Sequence, residues 1–194
     1  MLTQKYFAPD ALVSALPSSR VVAVLARSSV VHPLVIQSLA TRVLRSESVG
    51  VLLGDNHFDL YALMRLLQAH TRQRAPLLDR VEISRAFTCY QLHQRLLTLD
   101  PARKKWRALY VLGLLDTFYD ESVAAPEATR LLHACLRTSR SLAAKNLSVL
   151  MTISAPPQPG REKFIAQVAQ MADVYLELQA PPGPAGPRQR KMFD

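Results

Sequence analysis

The chain has 194 residues, 24 Lys and Arg against 15 Asp and Glu, and a formal net charge of +9. It is 49% hydrophobic and 20% charged, which excludes a wholly disordered chain and suits one domain with a real core. The excess of cations favours polyanionic partners such as nucleic acid. Cys89 and Cys135 are too few for a four-ligand zinc site and sit in apolar helical patterns, so both read as core thiols of a reducing compartment. Met1–Asp10 lacks the basic-then-apolar order of a secretory signal, and no apolar run reaches the roughly 20 residues of a membrane span. An intracellular protein is expected, in the cytoplasm or, in a eukaryote, the nucleus, with no membrane partner.

Short β-branched runs without period-2 polarity alternate with longer amphipathic stretches. The runs are Val21–Ala26, Val49–Leu53, Val81–Ser84, Ala108–Leu112, Ser148–Ile153 and Val174–Leu178, each as expected of a strand covered on both faces. Helical spacing is seen over Leu34–Leu44, Phe58–His70 and Cys89–Leu99, and Pro126 is placed to begin the longest helix. This order predicts an α/β fold: a three-layer, doubly wound, mostly parallel sheet with helical crossovers. Residues 1–180 read as one domain. Residues 181–194 begin with the Pro/Gly-rich PPGPAGP and end in Arg188, Arg190 and Lys191, a flexible basic tail.

Within Val81–Leu97, a strand ending in Arg85-Ala86-Phe87 runs directly into a helix. With the strand Ala108–Leu112, the long helix over Pro126–Lys145 and the strand after it, this order resembles the RecA-like recombinase family, the strand-exchange proteins and their paralogs. The resemblance implies a P-loop NTPase core spanning roughly Val21 to Leu178.

The loop after the first strand departs from that pattern. A working phosphate loop needs glycines whose N–H groups form an anion nest, a Lys for the phosphates and a Ser or Thr for Mg²⁺. Here the segment reads Ala26-Arg27-Ser28-Ser29-Val30-Val31-His32-Pro33, with no glycine and two β-branched residues that resist positive φ. By register His32 replaces the Lys and Pro33 the hydroxyl, with Pro33 in the first turn of its helix. After the second strand, Asp55 or Asn56 falls where the resemblance implies a water-positioning acid. Gly113 stands where the Walker B Asp is implied, with Asp116 three residues later, and Ile153-Ser154-Ala155 replaces the polar sensor. The degenerate nucleotide site thus comprises Arg27, Ser28, Ser29, His32, Pro33, Asp55, Gly113 and Asp116. No catalytic residue, cofactor or metal is expected there.

Other polar groups were weighed against chemistry. Asp55, His57 and Asp59, with Asp116, Asp120 and Glu121, could form a metal-assisted hydrolase, but polar residues there also cap helices and solvate loops. No G-x-S-x-G elbow supports a serine nucleophile. His70, His93 and His133 lack ligand spacing.

Between Arg72 and Arg107 nine cations face three acids, which supplies +6 of the +9. Arg72, Arg74, Arg85, Arg103, Lys104, Lys105, Trp106 and Arg107 are the expected nucleic-acid contacts, with Trp106 inside a cationic loop or buried as the anchor of the next strand. A second basic set is Arg130, Arg137, Arg140 and Lys145 on the long helix. The resemblance implies a non-hydrolysing recombinase paralog, pairing with a related subunit as a homo- or hetero-oligomer and assisting on single-stranded DNA in recombination and repair. The alternative is a protein–protein regulator on the same fold, of the cell-division-inhibitor type.

Overall fold

The computed structural model describes residues 19–55, 57–70 and 75–178. Six strands form one all-parallel sheet: β1 (Val21–Leu25), β2 (Ser48–Leu53), β3 (Val81–Arg85), β4 (Trp106–Leu112), β5 (Ser148–Ile153) and β6 (Val174–Glu177). Their order is β3-β2-β4-β5-β1-β6. Two strands therefore separate β1 from β2, unlike the Rossmann order in which they are neighbours.

The helices are α1 (Ser28–Leu44), α2 (Leu60–His70), α3 (Ala75–Leu78), α4 (Cys89–Thr98), α5 (Pro101–Lys104), α6 (Ala125–Ala143) and α7 (Lys163–Met171), with a 3₁₀ turn at Asp116–Phe118. Successive side chains of a strand point to opposite faces, and both faces are covered. Val22 and Val24 pack with Val35 and Leu39 of α1 and Leu63 and Leu67 of α2. Ala23 joins Leu92 of α4, Leu132 of α6 and Phe164 of α7 on the other side. Burial on both faces removes any polar alternation, which is why β5 is apolar at most positions and buried at all of them.

Crossovers that run toward the β3 edge carry α1 and α2 on one face. Those that run back toward β6 carry α4, α6 and α7 on the other. All crossovers therefore share one hand, as βαβ geometry requires.

Most expected strands fall within two residues of those observed. Three local expectations change. Helix α1 begins at Ser28 rather than Leu34, so Pro33 lies inside the helix instead of in its first turn. Lacking an N–H, Pro33 cannot donate to the carbonyl of Ser29. The cationic stretch is not a loop either: Arg103 and Lys104 belong to α5, while Trp106 and Arg107 already belong to β4. Leu60 is exposed rather than part of the buried stripe of α2. Pro126 sits at the second position of α6 as its fixed φ favours.

Cys89 and Cys135 are buried free thiols between α4 and α6. Burial pushes the Cys135 thiol up to about 12. Among the described residues no helix is long and apolar enough to cross a membrane. The tail 181–194, with its Pro/Gly-rich stretch, lies outside the described residues.

Candidate functional site

A cleft of about 800 Å³ opens at the carboxyl ends of the strands, between α1 and α2. Neighbouring strands β2 and β4, like β1 and β5, send their connections to opposite faces. Such a switch point leaves a crevice beyond the strand ends, the usual ligand position in open parallel sheets. Ser28, Ser29, His32 and Pro33 line it from α1, Asp55 from the loop after β2, and Asp116 from the 3₁₀ turn after β4.

Three close approaches shape this floor. Gly113 adopts φ +63°, and a Cβ there would stand 2.3 Å from Cβ of Asp55. Gly54 lies under Gly113, where its own Cβ would come within 2.5 Å of the Gly113 carbonyl oxygen. Thr152 accepts a hydrogen bond from the Gly113 N–H at 2.9 Å. Gly113 is thus placed by its backbone, and its missing side chain makes room for Asp55.

His32 and Asp55 are the centre of the cleft. Nε2 of His32 lies 2.9 Å from Oδ2 of Asp55, with side-chain exposures of 14% and 7%. The other carboxylate oxygen accepts the backbone N–H of His57 at 3.1 Å. The ring of His57 stacks on that of His32, with centroids 5.1 Å apart and planes 12° from parallel. Nearby, the Ser154 hydroxyl donates to Asp116 Oδ1 at 2.6 Å. Burial pushes the Asp116 carboxyl above its usual range, against the Ser154 hydrogen bond, and the charge of Asp55 adds to the rise.

Of the eight residues expected at the degenerate nucleotide site, six line the cleft and Gly113 packs against Asp55. Arg27 occupies the N-cap position of α1 without a side-chain capping bond. Asp59 lines the cleft and also caps α2, accepting the Ala62 N–H at 2.8 Å. Asp120 is exposed and accepts the Ser122 N–H at 2.9 Å; hydrogen bonding from the Ser122 hydroxyl and then from this N–H holds its carboxyl below the usual range. Among the described residues, no group of three or more His, Cys, Asp and Glu is placed to hold a metal ion. Arg65 and Thr152 were not singled out in sequence. Thr152 carries a weak signal, as a hydroxyl late in a strand that is otherwise apolar after its first residue.

The loop between β1 and α1 is only Ala26 and Arg27. Residues that would curl around a phosphate are instead the first turn of α1, where the Val30 and Val31 N–H groups bond to the Arg27 carbonyl at 2.9 and 3.2 Å. Among the described residues, Asp55, Asp59 and Asp116 share the lining with Arg65 as its one Lys or Arg. Such a lining repels a polyphosphate and suits a cationic or hydrogen-bond-donating group. A histidine oriented by a carboxylate is also a ready proton acceptor.

The expected nucleic-acid residues divide. Arg72 and Arg74 lie outside the described residues. Arg85 ends β3, level with Leu53 of β2, whereas Trp106 begins β4 level with Ser48. Five residues of strand, about 16 Å, separate the two levels. Lys104 pairs with Glu82 at 2.7 Å. Lys105, Trp106 and Arg107 share a second cleft, at the amino ends of the strands, with Lys145. The indole of Trp106 rests on Gly50, where a Cβ would meet the ring at 2.4 Å. It is half-buried there as the anchor of β4.

No protein-family model matches the chain, and no curated protein matches it.

Proposed function

We propose that this chain is a non-hydrolysing, RecA-like accessory protein in DNA recombination and repair that works by binding DNA, a partner recombinase subunit, or both. The observation that carries the reading is the contracted loop after β1, with His32 committed to Asp55 instead of free for phosphate. A strand-to-helix turn of two residues cannot form a glycine nest, and the cleft beyond it is acidic. The scaffold keeps the strand–helix order that resembles the recombinases, while the segment Ala26–Pro33 carries neither the glycines nor the lysine that a phosphate loop uses. The net charge of +9 then reads as a means of engaging nucleic acid.

Two titrations test this. Calorimetry with ATP, with and without Mg²⁺, is expected to show no saturable heat, and saturable submicromolar binding overturns the reading. Anisotropy of a labelled oligothymidylate is measured with the protein alone and with a RecA-family recombinase added. Binding in either condition supports the accessory role, and its absence in both removes it.

One observation favours the second reading, a protein–protein regulator of the cell-division-inhibitor type. Edge strand β3 and helix α4 expose Ile83, Phe87, Tyr90 and Leu97, the last three at 66%, 49% and 58%. An apolar rim beside an unpaired strand edge is a surface for another protein. Sedimentation velocity across a concentration series of Phe87→Ser and Leu97→Ser distinguishes the two. Lost association without any DNA binding in the unsubstituted protein favours the regulator.

A further inference from the structure

We propose that the cleft at the amino end of β4 is a binding site for single-stranded nucleic acid. In this site Lys105, Arg107 and Lys145 hold backbone phosphates and Trp106 supports a base. The inference deepens the nucleic-acid half of the function proposed above, and rests on it.

The cleft measures about 770 Å³ and lies at the opposite end of the strands from the His32–Asp55 crevice. Two segments distant in sequence build it. In the first, Pro101 begins the short helix α5, Lys105 follows it, and Trp106 and Arg107 open β4; in the second, Lys145 follows α6. Arg107 and Lys145 are about forty residues apart and meet only because β4 and β5 are neighbours, with Ala108 paired to Ser148.

The charge in the cleft is unbalanced and available. Lys105, Arg107 and Lys145 are exposed, and none makes an ion pair among the described residues. Other cations are committed: Lys104 to Glu82, Arg42 to Glu47 and Arg130 to Glu127. The acid in the lining, Asp100, accepts the Arg103 N–H at 3.2 Å as the N-cap of α5. Three unpaired cations against one occupied carboxylate give a focused positive field suited to a polyanion.

Trp106 adds what simple charge lacks. It lines the cleft while its packing on Gly50 holds the ring in place, so little side-chain freedom remains to be lost on binding. Aromatic faces beside cations are the recurrent platform for single strands, whose bases are free to stack, whereas a duplex hides them. Lys105 stands at φ 55°, a left-handed position that Asn or Gly would occupy with less strain.

Trp106 is the chain's one tryptophan, so its fluorescence reports on this cleft alone. The experiment titrates the full chain with oligothymidylate, the same length of duplex, and poly-glutamate. Saturable quenching by oligothymidylate is expected, weaker with duplex and absent with poly-glutamate. Neutralising the cleft with Lys105→Asn, Arg107→Gln and Lys145→Gln should weaken binding about tenfold or more and flatten the log–log salt slope by about 2. An equal charge change on α6, by Arg130→Gln, Arg137→Gln and Arg140→Gln, should weaken it by less than about twofold.

If the unsubstituted chain binds no oligothymidylate by anisotropy, the site and the nucleic-acid reading fall together. If it binds but the cleft variant binds equally well, or both variants lose equally, the site falls and the reading stands. Poly-glutamate binding as tight as DNA makes the cleft a site for acidic polypeptide and overturns the proposal.

Discussion

Nε2 of His32 and Oδ2 of Asp55, 2.9 Å apart, tie the first turns of α1 to the loop after β2 across the mouth of the main cleft. The bond engages the side chain that the proposed function reads in the place of a phosphate-loop lysine. The imidazole therefore already has an anionic partner.

Breaking this pair should cost stability without opening a nucleotide site. His32→Ala leaves the largely buried Asp55 carboxylate without its imidazole, a loss of about 1–3 kcal/mol by urea denaturation. His32→Lys restores the missing cation but not the glycine nest. Calorimetry should show ATP affinity no tighter than about 1 mM in both variants.

Asp116 makes the opposite prediction. Burial raises its carboxyl in the folded protein, so folding disfavours the ionised form. Its stabilising effect is present in full below the ordinary carboxyl range and is lost as pH rises through the raised folded value. Asp116→Asn keeps a partner for the Ser154 hydroxyl without the charge. The melting temperature of this variant should exceed that of the unsubstituted protein at pH 7, and the gap should shrink toward pH 3.

Tyr110 contributes to the alkaline limb, along with Tyr119, Tyr175 and Cys135, which burial also raises. Its hydroxyl is buried against Ser38 Oγ at 2.8 Å, and burial lifts its ionisation from 10.0 to about 12. The raised value means that the unfolded chain loses this proton first, so stability is lost between about pH 10 and 12, by up to roughly 1.4 kcal/mol per pH unit. Tyr110→Phe should shallow that decline while costing about 1–2 kcal/mol at neutral pH, because Ser38 loses its partner. Denaturant midpoints across pH 7–12 measure both effects.

Two glycines separate the two clefts experimentally. Gly113→Ala meets both a positive φ and Cβ of Asp55 at 2.3 Å, so it should destabilise by about 3 kcal/mol or more and disorder the His32–Asp55 contact. Gly50→Ala meets the Trp106 ring and should swing it toward water. The expected signature is a red shift of Trp106 emission in Gly50→Ala and little shift in Gly113→Ala.

Much of the fold was legible in the chain alone. Runs such as Val21–Leu25 and Ser148–Ile153 show no alternation because both faces of the sheet are covered, and that is a local signal. The start of α1 was not legible. Pro33 reads as a first-turn residue by propensity, yet the helix begins five residues earlier because Val31, Val35 and Leu39 are buried on one face of the sheet. Packing there outweighs the local preference of one proline.

The sites divide along the same line. Absence of glycine between Ala26 and Pro33 disfavours a phosphate nest, a signal read from the residues themselves because β-branched Val30 and Val31 resist positive φ. That His32 reaches Asp55, that Ser154 reaches Asp116, and that Lys145 joins Lys105 and Arg107 depend on strand order. Nothing in a linear pattern places β5 between β4 and β1. The basic stretch that looks continuous in sequence is split by a strand length into Arg85 at one end and Arg107 at the other, because helix α4 carries the chain back from the carboxyl end of β3 to the amino end of the parallel β4.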